Sequence, residues 1–154
     1  MQKYGSLTAA DTSSMTHSDV ETLIEHEGRD VLRALYQSHL NLRGLAEPVT
    51  PPEGADGVVR TQPRSDTSRP LTSLLGPVTV PRTQYERPGV PSLHPVDADL
   101  NLPPEKYSLP VRRRVAETAA RTSFDATVDT IERTTGASVP KRQAEELVQR
   151  AAQD

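Results

Sequence analysis

Thirteen of the 14 prolines in this 154-residue chain lie between Pro48 and Pro110. Each proline lacks a backbone donor and disfavours helix at the residue before it, so this stretch is closed to helical packing. The helical patterns lie on either side. Only 32 residues are Leu, Ile, Val or Phe, and there is no Trp. One large core built from the whole chain is therefore not expected, and a small folded unit with long extended parts is. The fold class this predicts is mainly α.

Residues 1–17 are small and polar and read as a flexible tail. Ser18 to Glu21 has the form of a capping box and opens an amphipathic helix over 18–44. Val20, Leu23, Ile24, Val31, Leu32, Leu35 and Leu40 recur at steps that hold them on one face. Such a face must pack on the rest of the chain or on a second copy, which makes this helix the route to a homo-oligomer. Residues 45–69 are expected as a disordered linker. Residues 70–104 read as a small β-hairpin turning at Gly76-Pro77, followed by a proline-rich extended segment. Pro77 and Pro81 place its second strand at an edge.

Residues 105–154 read as three helices. Ser108 caps the first, which runs to Arg121, with Pro110 in its first turn. The second runs from Ser123 to Thr134 and is ended by Gly136 at positive φ. Pro140 opens the third, whose inner stripe is Ala144, Leu147, Val148 and Ala151. Two short helices about a glycine-containing turn describe a helix-turn-helix unit. In such a unit Lys141, Arg142 and Gln143 would enter the major groove of double-stranded DNA, while Arg112, Arg113 and Arg114 neutralise phosphates. Between Lys106 and Arg142 eight basic residues face four acidic ones, although the whole chain carries a net charge of −3. Glu145 and Glu146 oppose a phosphate contact unless they pair with Lys141 and Arg142. Three-helix units of this charge also bind protein, so both readings stand at this point.

Several chemistries have no carrier. Without cysteine there is no disulfide, thiolate zinc site or cysteine nucleophile. His17, His26, His39 and His94 are scattered. Asp97 and Asp99 have no third ligand nearby and read as turn residues. No phosphate-binding glycine loop and no catalytic constellation is present, and no metal is expected. The N-terminus lacks an apolar leader and no run approaches a membrane span, so a soluble cytoplasmic protein is expected.

The stretch Gly76-Pro77-Val78-Thr79-Val80-Pro81-Arg82-Thr83-Gln84-Tyr85 resembles a "G-P-V-x-V-x-R-x-x-Y" segment. Pro95-Val96-Asp97-Ala98-Asp99-Leu100-Asn101-Leu102-Pro103 resembles "P-L-D-A-x-L-N-L-P". Tyr107-Ser108, Arg112-Arg113-Arg114-Val115-Ala116, Ser123-Phe124-Asp125, Thr135-Gly136 and Val139-Pro140-Lys141-Arg142-Gln143 follow in order. Together these are similar to the N-terminal region of bacterial insertion-sequence transposases of the ISKra type. The resemblance covers roughly Val20 to the end and is densest from Gly76 onward.

The resemblance implies a protein that binds the ends of its own element. It also implies an acid-triad nuclease domain, of the DDE class and using Mg²⁺, that follows this region. The chain ends at Asp154, before any such domain, and so reads as a truncated frame or an excised N-terminal piece. Some relatives carry a Cys pair after the position of Tyr85. Arg87-Pro88-Gly89-Val90-Pro91 stands there instead, so no zinc is expected. The alternatives to a DNA-recognition piece are a truncated regulatory fragment that self-associates through 18–44, and a non-functional remnant.

Overall fold

The computed structural model describes residues 12–46, 48 and 50–153. Helix α1 spans His17–Gly44. Strands β1 (Gln62–Ser73), β2 (Gly76–Arg87) and β3 (Val90–Leu93) follow. After them come a short helix α2 (Pro95–Asp99) and helices α3 (Leu109–Ala119), α4 (Phe124–Thr134) and α5 (Lys141–Ala151). The strands form one antiparallel sheet in the order β1-β2-β3. This α+β architecture corrects the mainly α expectation. Strand β1 begins at Gln62, inside the stretch read as linker, and the hairpin strands are 12 residues each.

The prolines do not break this sheet because of where they fall in its register. Opposed residues of an antiparallel ladder alternate between bonding each other and pointing their backbone groups outward. Thr72 and Thr79 point outward. Thr72 donates to Lys106 O and accepts from Ser108 N, and Thr79 is bonded on both groups by the Gln37 side chain. The pairs Pro70–Thr79, Thr72–Pro77 and Ser68–Pro81 share that parity. Each missing N–H would thus have pointed away from the partner strand. A bulge at Ser65-Asp66, with Asp66 at φ 62°, shifts the register opposite Thr83. Burial along β2 changes phase there, from Val78 and Val80 to Thr83 and Tyr85.

Helix α1 is capped by Thr16 and Asp19, which bond each other's backbone amides. Helix entry therefore lies two residues before the Ser18 expected. The expected tail 1–17 falls outside the described residues up to 11. Of the seven residues read as one apolar stripe, Leu40 packs on β2 while Ile24, Leu32 and Leu35 are exposed. Leu40 is buried, Tyr36 is half-buried, and the Gln37 carboxamide holds both backbone groups of Thr79 at 2.7 and 2.8 Å. At Gly44 a Cβ would collide with the Pro81 carbonyl. Leu40 joins Leu71, Val78, Val80 and Val96 in one of two cores.

Arginines fasten the loops around this sheet. Arg60 is buried, binds the Asp56 carboxylate with two nitrogens at 2.6 and 2.8 Å, and donates to the Pro91 carbonyl. It thereby ties the turn before β1 to β3. Arg69 donates to the Pro103 and Glu105 carbonyls, and both Arg69 and Arg82 pair with Asp97. Asp97 is thus a structural anion in the proline-rich segment, while Asp99 is exposed.

The second core lies among α3, α4 and α5. It contains Tyr107, Val111, Val115, Ile131, Ala137, Val139, Ala144 and Leu147. Ser108 and Ser123 cap α3 and α4. These helices do not make a helix-turn-helix, which corrects the second part of the expected fold. The connection from α4 to α5 runs over Thr135–Pro140 instead of a tight turn. It leaves α4 through Thr135 in an extended conformation (φ −136°, ψ 175°), and the Thr135 hydroxyl accepts from Ala137 N. Gly136 is absent from the positive-φ positions. It is needed for close approach: its N–H donates to Leu74 O at the hairpin tip, and a Cβ would lie 2.6 Å from the Leu75 carbonyl and Gly76 N. The segment is shaped by docking on the hairpin, which no local turn signal encodes.

Gly136→Ala is expected to lower stability by about 1–3 kcal/mol, the usual cost of forcing packed groups apart, as read from the urea unfolding midpoint. The bonds from Arg60, then Val58 N–H, hold the Asp56 carboxyl down at about 2. Because the folded value lies below the unfolded one, its stabilising contribution is complete above about pH 4 and disappears as pH falls through about 2. The difference in urea midpoint between the native chain and Asp56→Asn should stay flat from neutral pH down to about pH 5, then shrink towards pH 2.

Candidate nucleic-acid interface

The helix α3 turns its apolar residues Val111 and Val115 into the core, which leaves its arginines on other faces. The three consecutive arginines consequently do different things. Arg112 is directed to Glu105, at 3.5 Å, where the carboxylate is 10% exposed and also meets Arg150 at 3.1 Å. This is a structural pair between the segment before α3 and the end of α5. Arg113 is 81% exposed and bonds Glu117 at 2.8 Å, one turn along. Arg114 is exposed at the edge of a groove with Leu74 and Leu75 of the hairpin tip.

Glu117 sits among three guanidiniums. The Arg113 bond first, opposed by desolvation and helped by the charges of Arg113, Arg114 and Arg121, holds its carboxyl below the usual range. Among the described residues Arg114 and Arg121 make no ion pair. Positions 113 and 117 lie one turn apart on α3, and Arg121 approaches Glu117 from the turn just past the helix end at Ala119. Three cations against one anion give that face an excess positive charge. Arg121 belongs to the basic excess of residues 106–142 but not to the expected contact residues, and it is the turn after α3 that brings it to Glu117.

The start of α5 is balanced differently. Lys141 reaches Asp125 of α4 at 2.9 Å, and this bond raises its pKa. Arg142 pairs with Glu146 at 3.3 Å, and Gln143 donates to the same carboxylate. The structure thus brings Lys141, Arg142 and Gln143 together at one helix start, with acids alongside them. Arg142 is 87% exposed and Lys141 52%. Exposed pairs of this kind are worth about 0–1 kcal/mol, so exchange for a phosphate costs little.

Among the described residues no three His, Cys, Asp or Glu side chains converge as a metal group, and no helix is long and apolar enough to cross a membrane. His94 is half-buried beside Arg82, Arg69 and Asp97. Burial first, then the neighbouring guanidiniums, lowers its pKa, which favours a neutral ring.

Arg112→Ala should cost about 1–3 kcal/mol by stripping a partner from a buried carboxylate, whereas Arg113→Ala should stay within about 0.5 kcal/mol. Chemical unfolding of the two variants side by side checks this division. No family model, no curated protein and no solved structure matches the chain.

Proposed function

We propose that this chain is the DNA-binding portion of an insertion-sequence transposase, acting in the cytoplasm on the double-stranded ends of its element. The observation that carries the reading is the outer face of α3 and the turn after it, where Arg113 and Arg114 of the helix and Arg121 of the turn surround the carboxylate of Glu117. From residue 113 to the helix end at Ala119 this face spans about 9 Å, with Arg121 in the turn just beyond. At about 3.4 Å of duplex axis per phosphate of one strand, that reaches about three phosphates. The ordered motifs from Gly76 to Gln143, similar to ISKra-type transposases, supply the identity of the partner. Lys141, Arg142 and Gln143 form a second contact once their exposed carboxylate partners are exchanged. Arg112 acts indirectly, by fixing α3 on Glu105.

The reading assigns no catalysis to these residues. Mg²⁺-dependent strand cleavage belongs, on the same resemblance, to a nuclease domain outside this chain.

Fluorescence anisotropy with a 30-base-pair duplex of mixed sequence, titrated across salt, tests the proposal. Neutralising three phosphates predicts a slope of log affinity against log salt of about −2.7. Arg113→Gln, Arg114→Gln and Arg121→Gln combined should remove most of that slope. Lys141→Ala with Arg142→Ala should weaken binding by a smaller factor. No binding at low salt, or a slope unchanged in the triple variant, overturns the assignment.

A further inference from the structure

Helix α1 has two opposed faces, and only one is covered. Residues 36, 37, 40 and 44 lie against β2. On the other side Ile24, Leu32, Leu35, Leu42 and Leu45 are 49–78% exposed. At 100° per residue these five form one stripe about 32 Å long. An apolar surface of that extent on a helix marks an interaction site.

We propose that this stripe pairs with the same stripe of a second copy, the two α1 helices running antiparallel. Three features of the stripe select this occupant. First, the pattern Gly28, Leu32, Leu35, His39, Leu42 alternates steps of four and three, the spacing of a two-helix seam. Second, a two-fold axis beside Leu35 sets Gly28 of one helix opposite Leu42 of the other. A Cβ at Gly28 would meet nothing within 4 Å, so its position is an open hole, and Leu42 at 71% exposure is a knob without a socket in its own chain. Third, charge along one flank of the stripe changes sign. Glu21 and Glu25, the latter met by its own Arg29 at 3.4 Å, lie in the first half, and Arg43 lies in the second. Antiparallel pairing brings Glu25 to Arg43 of the second copy, whereas parallel pairing sets like against like. The same acidic first half disfavours an anionic bilayer as the occupant. The groove beside Ile24, Gly28 and Leu32, walled by Leu74 and Leu75 of the hairpin tip, continues the apolar surface to where the partner helix would end.

Sedimentation of the full chain at micromolar concentration should show a dimer. Leu35→Glu with Leu42→Glu should weaken dimerisation by roughly a hundredfold or more through like charges at the seam. Its helical circular dichroism should hold, because both side chains are exposed in the single chain. The native chain has no cysteine, so orientation can be read by oxidation. Ile24→Cys alone should yield little disulfide dimer, while an equal mixture of Ile24→Cys and Leu45→Cys should yield the mixed 24–45 disulfide. A monomer at all concentrations overturns the proposal. So does a dimer indifferent to the double Glu variant, efficient self-crosslinking of Ile24→Cys, or a monomer that co-sediments with phosphatidylserine-containing vesicles. None of these outcomes bears on the arginine face of α3, so the two proposals fail separately.

Discussion

The parity of the strand prolines is the constraint on which the rest of the structure rests. A ladder tolerates a missing donor only where that donor would have pointed away from the partner strand. Pro70, Pro77 and Pro81 all satisfy this. The hairpin therefore closes over its full length and presents two edges. The outward groups of Thr72 on one edge receive Lys106 and Ser108, which set the start of α3. The outward groups of Thr79 on the other edge receive Gln37, which sets α1. A proline one residue out of phase would remove a ladder bond and leave an acceptor unpaired.

The hairpin tip joins the two cores. Leu74 O holds Gly136 N, and Arg29 of α1 donates to Thr135 O at the same junction. The backbone between α4 and α5 is thus bonded to elements more than 60 residues earlier in the chain. This explains why α3, α4 and α5 pack together without forming the tight turn their sequence suggests. Helix α1 packs on the sheet core through one face, reaches the α4–α5 junction through Arg29, and leaves its more apolar face bare, an inversion of the usual amphipathic arrangement.

Burial sorts the arginines into two classes. Arg60, Arg69, Arg82 and Arg112 hold carbonyls or carboxylates and act as fasteners. Arg113, Arg114 and Arg121 remain at the surface around one acid. Charge counting treats all of them alike, and the run Arg112-Arg113-Arg114 conceals the division because a helix turns 100° per residue. The segments that most resemble transposases fall largely in the first class. Asp97 and the prolines around it build a joint, with Asn101 at φ 48° closing the turn after α2.

Local chemistry was legible from residue order alone. Ser108 and Ser123 announced α3 and α4, since a hydroxyl before a helix satisfies a free amide without distant help. The apolar stripe of α1 and the basic excess before residue 143 were equally plain. What they faced was not. Whether Leu35 is core or surface depends on which side of α1 meets β2, and that is set by Gln37 and Leu40 finding a strand some 40 residues away. Proline parity, the extended exit at Thr135 and the separation of Arg112 from Arg113 likewise follow from contacts between distant segments. Residue periodicity encodes which positions share a face, but only the packed chain decides which face is covered.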